Sequence, residues 1–272
     1  RGFSKPSRLF KIMTRLSKFG FKSESQNGVA RVVGAHGDYY HLVCNDADGE
    51  IVARKKKSNF LRAQVQPVTG DFVRFKYNPA GESMITEVLP RFSVFERRDP
   101  TSRRKAQILA VNFDVLFIMM GLNEDYSIQR LQRFLSLAQN VGDAEVIVVL
   151  TKTDLNYELE PLPEIPNRVI RISNKTLEGI DLIRQIVRPQ STVAFIGSSG
   201  VGKSTLLNTL AGEEYAATQQ TQEWSGKGRH TTTSRELVMM PNGSMVIDTP
   251  GVREIGYLGE NEMMPVKGHS SH

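Results

Sequence analysis

Between residues 27 and 95 apolar and polar positions alternate in short runs. Residues 29–33, 39–44, 51–53, 71–77 and 84–88 are short runs that read as strands. His36-Gly37-Asp38, Asp48-Gly49 and Pro79-Ala80-Gly81 supply turns between them. That pattern predicts a small all-β barrel, of OB-fold or SH3-like type. From about residue 106 the pattern changes. Apolar runs of strand length at 113–120, 145–150, 169–172 and 192–196 alternate with helical spacing over 127–140, 177–187 and 203–210. Ile128, Leu131, Leu135 and Ala138 share one helical face, and Leu177, Ile180, Ile183 and Val187 another. A hairpin over 236–240 and 245–247 turns at Asn242-Gly243. Such alternation predicts an α/β fold with a mainly parallel sheet. Met119 and Met120 fall inside its most apolar strand, as core filler.

Ahead of the barrel, Leu9, Ile12, Leu16 and Phe19 are spaced for an amphipathic helix within residues 1–25. No acidic residue precedes Glu24, while Arg1, Lys5, Arg8, Lys11, Arg15, Lys18 and Lys22 recur. Three readings stay open: a helix packed on the barrel, an RNA-contacting arm, or an organelle transit segment. Two further basic clusters are Arg54-Lys55-Lys56-Lys57 and the group Arg97, Arg98, Arg103, Arg104 and Lys105. The formal charge is +6, and the pI of about 9.4 points to a polyanionic partner.

At 272 residues the chain has room for two cores. Its one cysteine, Cys44, excludes an internal disulfide framework and a cysteine zinc site. The apolar runs fall far short of the ~20 residues that span a bilayer. A cytoplasmic monomer without a membrane partner is the expectation. The chain starts on Arg1, which suggests a trimmed start, and its end, Lys267 to His272, looks like a cloning remnant.

The chemistry is concentrated in the α/β half. Gly197-Ser198-Ser199-Gly200-Val201-Gly202-Lys203-Ser204 fits G-x-x-x-x-G-K-[ST], between an apolar strand and a helix. Its backbone N–H groups can surround phosphates, with the helix N-terminus adding partial positive charge. Lys203 should reach the β- and γ-phosphates, the Ser204 hydroxyl should ligate Mg²⁺, and Thr205 adjoins them. Asp248-Thr249-Pro250-Gly251 ends the hairpin, so the Asp248 carboxylate can support Mg²⁺ through water and the Gly251 N–H can sense the γ-phosphate.

Thr151-Lys152-Thr153-Asp154 follows a strand, where a base reader belongs. A carboxylate at Asp154 can accept from guanine N1–H and N2–H₂, a pair that adenine does not offer. The Lys152 stem should cover the base. The usual motif starts with Asn, and Thr151 is expected to lose the amide that ties this loop to the phosphate loop. Ser173-Asn174-Lys175 can add backbone contacts to the guanine oxygen. Gly228-Arg229-His230-Thr231-Thr232-Thr233 lies where a first switch loop would close, with Thr232 (or Thr231) over Mg²⁺. Val252 stands where many G proteins carry a water-orienting Gln. His230 or a partner's group must then position the water. Catalytic candidates are His230, Lys203 and Thr232. The base readers precede the phosphate loop, so the G domain is circularly permuted.

In that order and in these motifs, with Ala110-Val111-Asn112-Phe113-Asp114 leading in, the chain resembles the bacterial small-ribosomal-subunit-dependent GTPase A family. The resemblance implies an OB-fold, a permuted P-loop G domain, a C-terminal zinc domain, and GTP hydrolysis to GDP stimulated by the 30S subunit. It implies a late role in 30S maturation, rRNA binding, and a hydrolytic role for the histidine matched by His230. The expected layout is a basic segment at 1–26, a barrel at 27–95, the G domain at 106–258 and a tail at 259–272. The family's zinc ligands have no match here, which is expected to reflect missing residues. The rival readings are a P-loop ATPase or kinase, which Asp154 disfavours, and an RNA-binding module with a degenerate G domain, which intact Lys203, Ser204 and Asp248 disfavour.

Overall fold

A computed structural model of the chain describes residues 14–23, 27–56, 65–97, 106–155, 157–158, 160–212 and 236–248. The first half forms strands β1 (Val29–His36), β2 (Tyr39–Cys44), β3 (Ile51–Lys55), β4 (Phe72–Lys76) and β5 (Ser83–Val88). They run in the order β1-β2-β3-β5-β4, and β1 also pairs β4, which closes a barrel. β3 and β5 are parallel; the other pairs are antiparallel. Ala30, Val32, Leu42, Ala53, Val73, Phe75 and Ile85 fill it. Closure removes free edges, and the five-stranded form is OB-like.

β1 is apolar on both faces for a reason the barrel alone does not give. Ala30 and Val32 face inward, whereas Val33 packs into the α/β core beside Leu237. Arg31 points the same way and is fully buried. Its guanidinium donates to the carbonyls of Phe19 and Asn112 and lies over the Phe72 ring. Burial lowers its pKa to about 10, with Asp114 and Asp71 opposing that shift, so it stays charged at neutral pH. The turn that supplies Phe19 is helix α1 (Arg15–Lys18), docked on the barrel by Arg15 Nη1 to Ala47 O and Leu16 N to Asn45 Oδ1. Leu9 and Ile12 lie outside the described residues.

The second half contains β8 (Val115–Gly121), α2 (Ile128–Leu137), β9 (Glu145–Thr151), β10 (Arg168–Arg171), α3 (Ile180–Ile186), β11 (Thr192–Gly197) and α4 (Lys203–Ala211). The hairpin β12 (Glu236–Met239) and β13 (Met245–Asp248) ends the described chain. β10, β9, β8, β11 and β13 are parallel, in that spatial order, with β12 antiparallel at the side. Apolar clusters cover both faces, which explains the continuous apolar strands. Met119 and Met120 are both fully buried. No described helix is long and apolar enough to cross a membrane.

The structure departs from the sequence reading in two places. Residues 107–111 do not lead into the parallel sheet; they form β7 (Gln107–Val111), which pairs antiparallel with β6 (Val94–Arg97). Asn112 causes the break: its φ is 51°, its Oδ1 accepts from Phe92 N at 3.1 Å and its Nδ2 donates to Gly70 O at 3.1 Å. Next, Leu177 is not inward. It is 56% exposed, because the chain is left-handed at both Leu177 and Gly179 and α3 starts only at Ile180. Gly179 is required there, since a Cβ would lie 2.1 Å from Arg171 O. Besides these departures, β1 pairs β12 at Gly34 and Glu236, which joins the barrel strands and the parallel sheet in one 11-stranded sheet.

Candidate functional site

The loops after β9, β10, β11 and β13 all leave the carboxyl ends of parallel strands, and β11 lies between β8 and β13. Ligands of open α/β sheets bind in the crevice such loops frame. β11 hands directly into the phosphate loop. Gly197 packs so closely on β8 that a Cβ would lie 2.7 Å from Met119 O. Gly202 has a φ of 98° and caps α4. Ser198 is half-buried, while Ser199 and Gly200 are exposed and Val201 is buried. Lys203 Nζ donates to Gly197 O at 2.6 Å and Ser198 O at 2.7 Å. The ammonium is thus held at the mouth of the loop by carbonyls. An incoming phosphate offers it a stronger, charge-assisted bond.

The base side is assembled around two hydroxyls. Thr151, fully buried at the end of β9, donates from Oγ1 to Val201 O at 2.7 Å. This corrects the expectation that Thr151 loses the tie to the phosphate loop. The sheet brings β9 close enough that a hydroxyl spans the gap as an amide would. Ser173 is also buried, and its Oγ donates to Asp154 Oδ1 at 2.7 Å while accepting from Lys175 N and Thr176 N at 3.1 Å each. The Ser173 bond, aided by Asp154's own N–H and by Lys175, lowers the Asp154 pKa below the ordinary carboxylate value. Asp154 itself is half-buried at the mouth of the loop. Lys152 adopts a φ of 62°, and its Cδ lies 3.6 Å from where a Cβ on Gly121 would stand. Its stem therefore runs along the end of β8. The hydroxyl role of Ser173 was missed in the sequence. The signal available was a serine directly after a strand, where a side-chain oxygen can collect the next turn's N–H groups.

Ser204 and Thr205 are exposed on the first turn of α4. Mg²⁺ takes only one or two protein ligands beside phosphate oxygens and water. An exposed hydroxyl at a helix N-terminus beside Lys203 fits that demand. Among the described residues there is no cluster of three or more His, Cys, Asp or Glu that could hold a metal alone. Asp248 ends β13, but its side chain, Gly251, His230, Thr231 and Thr232 lie outside the described residues.

The basic cluster on β3 is less available than its sequence suggests. Arg54 makes an ion pair with Glu82 at 2.6 Å and lies over the Tyr39 ring. Lys55 pairs with Asp38 at 3.7 Å and donates to Gln66 Oε1 at 3.0 Å. Lys56 is exposed, and Lys57 lies outside the described residues.

Residues 88–258 match the RsgA GTPase family. The chain is 38% identical over 239 residues to small ribosomal subunit biogenesis GTPase RsgA 2 of Lactiplantibacillus plantarum, covering 85% of this chain and 67% of that protein. It is 37% identical over 262 residues to RsgA 1 of Listeria innocua, covering 91% of this chain and 73% of that protein. Among solved structures, YjeQ from Thermotoga maritima matches with a TM-score of 0.58 at 23% identity, over 82% of this chain and 74% of that one. YloQ, described as a circularly permuted GTPase, matches with a TM-score of 0.53 at 22% identity, over 85% of this chain and 74% of that one. These two show the fold: a permuted G domain after an OB-like barrel.

Proposed function

The chain belongs to the RsgA GTPase family, and from this we propose that it hydrolyses GTP to GDP and phosphate in the biogenesis of the small ribosomal subunit. One observation supports guanine as the base: Ser173 holds the Asp154 carboxylate ionised at the crevice, on a loop that Thr151 ties to the phosphate loop. Adenine would leave that carboxylate facing an edge without the matching donors.

The phosphate loop cradles the β- and γ-phosphates with its N–H groups. Lys203 leaves the loop carbonyls for their oxygens and stabilises the charge that gathers as the γ-phosphoryl group departs. Water attacks the γ-phosphorus, the bond to the bridging oxygen breaks, and GDP leaves. Ser204 and Thr232 would hold Mg²⁺, with Asp248 supporting it, and the ion would supply positive charge to the phosphate oxygens. Gly251 contacts the γ-phosphate, and His230 orients the water. Val252 cannot orient water, so hydrolysis is slow until the small subunit docks and His230 reaches the attacking water.

The barrel and the basic N-terminal segment contact rRNA, which makes the 30S subunit the partner. We place the activity in the cytoplasm, with the protein acting as a monomer, and with residues 27–95 and 106–258 as the barrel and G domain. The test is nucleotide competition. GDP should displace a fluorescent guanine nucleotide about 10⁴-fold better than ADP, the range seen when a missing donor strands a buried polar group. Equal displacement would refute guanine recognition.

A further inference from the structure

The loop after β8 carries a buried amide, Asn123, whose Oδ1 has no hydrogen-bond partner. The far end of the amide sets its orientation. Nδ2 donates to Asp125 Oδ2 at 3.3 Å, and the reversed amide would set two acceptors against each other. Oδ1 is therefore an acceptor that needs a donor, since a buried polar atom left unpaired is costly.

That oxygen lies against Gly121. A Cβ on Gly121 would stand 2.5 Å from Asn123 Oδ1 and 3.6 Å from Lys152 Cδ. The two side chains thus meet over one glycine, which has no side chain to part them. Gly121 lies two residues beyond Met119 on β8 and shares its face of the sheet. Met119 belongs to the same apolar cluster as Val201 of the phosphate loop. The meeting point is therefore on the phosphate-loop side. Lys152 has a left-handed backbone, with φ 62°, an uncommon state for a residue with a Cβ. Its ammonium is two bonds beyond Cδ, so rotation of the last torsions brings it to the oxygen.

A base laid along the Lys152 stem takes water from the ammonium. A desolvated ammonium needs an acceptor, and the orphaned oxygen needs a donor. Each removes the cost of the other. Resting on the guanine reading above, in which the Lys152 stem covers the base, we infer that Asn123 is a positioning residue for the nucleotide. Its Oδ1 accepts from the Lys152 ammonium in the nucleotide complex and so holds the stem across the face of the base. Asn123 acts through Lys152 and not on the nucleotide itself.

The test is a double-mutant cycle, read by calorimetric titration of the whole chain with GDP and ADP. Asn123→Ala and Lys152→Met should each weaken GDP binding about tenfold, the order expected for one hydrogen bond to a charged group. In the double variant the Asn123→Ala change should cost nothing further, whereas a merely structural asparagine would cost the same with or without Lys152. Asn123→Asp keeps the acceptor and should bind GDP no weaker than wild type, which covers the case of an alanine variant that fails to fold. Penalties that multiply in the double variant, or a loss in Asn123→Asp of about tenfold, overturn the inference while GDP still outcompetes ADP. Equal affinity of wild type for GDP and ADP overturns the guanine site, and this inference with it.

Discussion

The Thr151 hydroxyl donates to the carbonyl of Val201 at 2.7 Å, joining the base-reading loop to the phosphate loop across the ends of β9 and β11. In the proposed function the two loops take opposite ends of one nucleotide, so a bond between them would fix the distance over which it must fit. Thr151→Val keeps the shape and leaves the Val201 oxygen unpaired in a dry place. That should cost about 1–3 kcal/mol, read as a tenfold to hundredfold loss of GDP affinity in folded protein. Thr151→Ser should restore most of it. Wild-type affinity in Thr151→Val would show that the tie is idle.

Ser173 Oγ donates to Asp154 Oδ1 at 2.7 Å. Its hydrogen bond lowers the Asp154 pKa, so the carboxylate stays ionised below the ordinary range of about 4. Guanine binding needs the ionised form, so affinity is present above that lowered pKa and fades as pH falls through it. Ser173→Ala should move the titration of Asp154 up towards the ordinary value, and the acid loss of GDP affinity should move with it. The carboxyl carbon shift of Asp154, followed by NMR from pH 2.5 to 6, reads this directly. An unmoved midpoint would assign the shift to Lys175 or the backbone instead.

On the barrel, Arg54 is held by Glu82 and Tyr39. Lys56 is exposed. Lys56→Gln should therefore weaken 30S binding at low salt and flatten its salt dependence by about one counterion, while Arg54→Gln does less. Glu82→Gln should free Arg54 and tighten binding. Filter binding across a salt series gives all three slopes; equal effects from Arg54 and Lys56 would mean the Glu82 pair opens on RNA.

Arg31 joins barrel, α1 and the parallel sheet from a fully buried position. Arg31→Met removes the charge but strands the Phe19 and Asn112 carbonyls. The expected cost is about 2–4 kcal/mol of unfolding free energy, measured as a lower urea midpoint. A change within 0.5 kcal/mol, roughly the surface-substitution range, would mean water replaces the guanidinium.

The parallel sheet and phosphate loop were legible because apolar run length and the glycine-lysine spacing are local signals. What escaped depends on residues far apart in the chain. Arg31, inside Val29–Val33, was not singled out in the sequence; its burial follows from bonds to Asn112 and Phe19, which local spacing does not reveal. β7 looked like a lead into the next strand, because only the long-range bonds of Asn112 to Phe92 and Gly70 end it. Leu177 fitted the helical face by spacing, yet the left-handed Gly179 starts the helix later. At the candidate site, the motif singled out Asp154. The Thr151 and Ser173 hydroxyl bonds were not legible, since a motif gives residue types and not which neighbour a hydroxyl reaches.

Phosphate release from GTP, with and without 30S subunits, tests the proposed activity most directly, with ATP as the parallel substrate. Wild type should turn over GTP slowly alone and at least tenfold faster with 30S subunits, with ATP left untouched; the tenfold step corresponds to about 1.4 kcal/mol off the barrier. Lys203→Ala should abolish both rates, and His230→Ala should keep GTP affinity while losing most of the stimulated rate. GTP turnover that 30S subunits leave unchanged, or ATP turnover equal to that of GTP, would contradict a guanine-specific GTPase of small-subunit biogenesis.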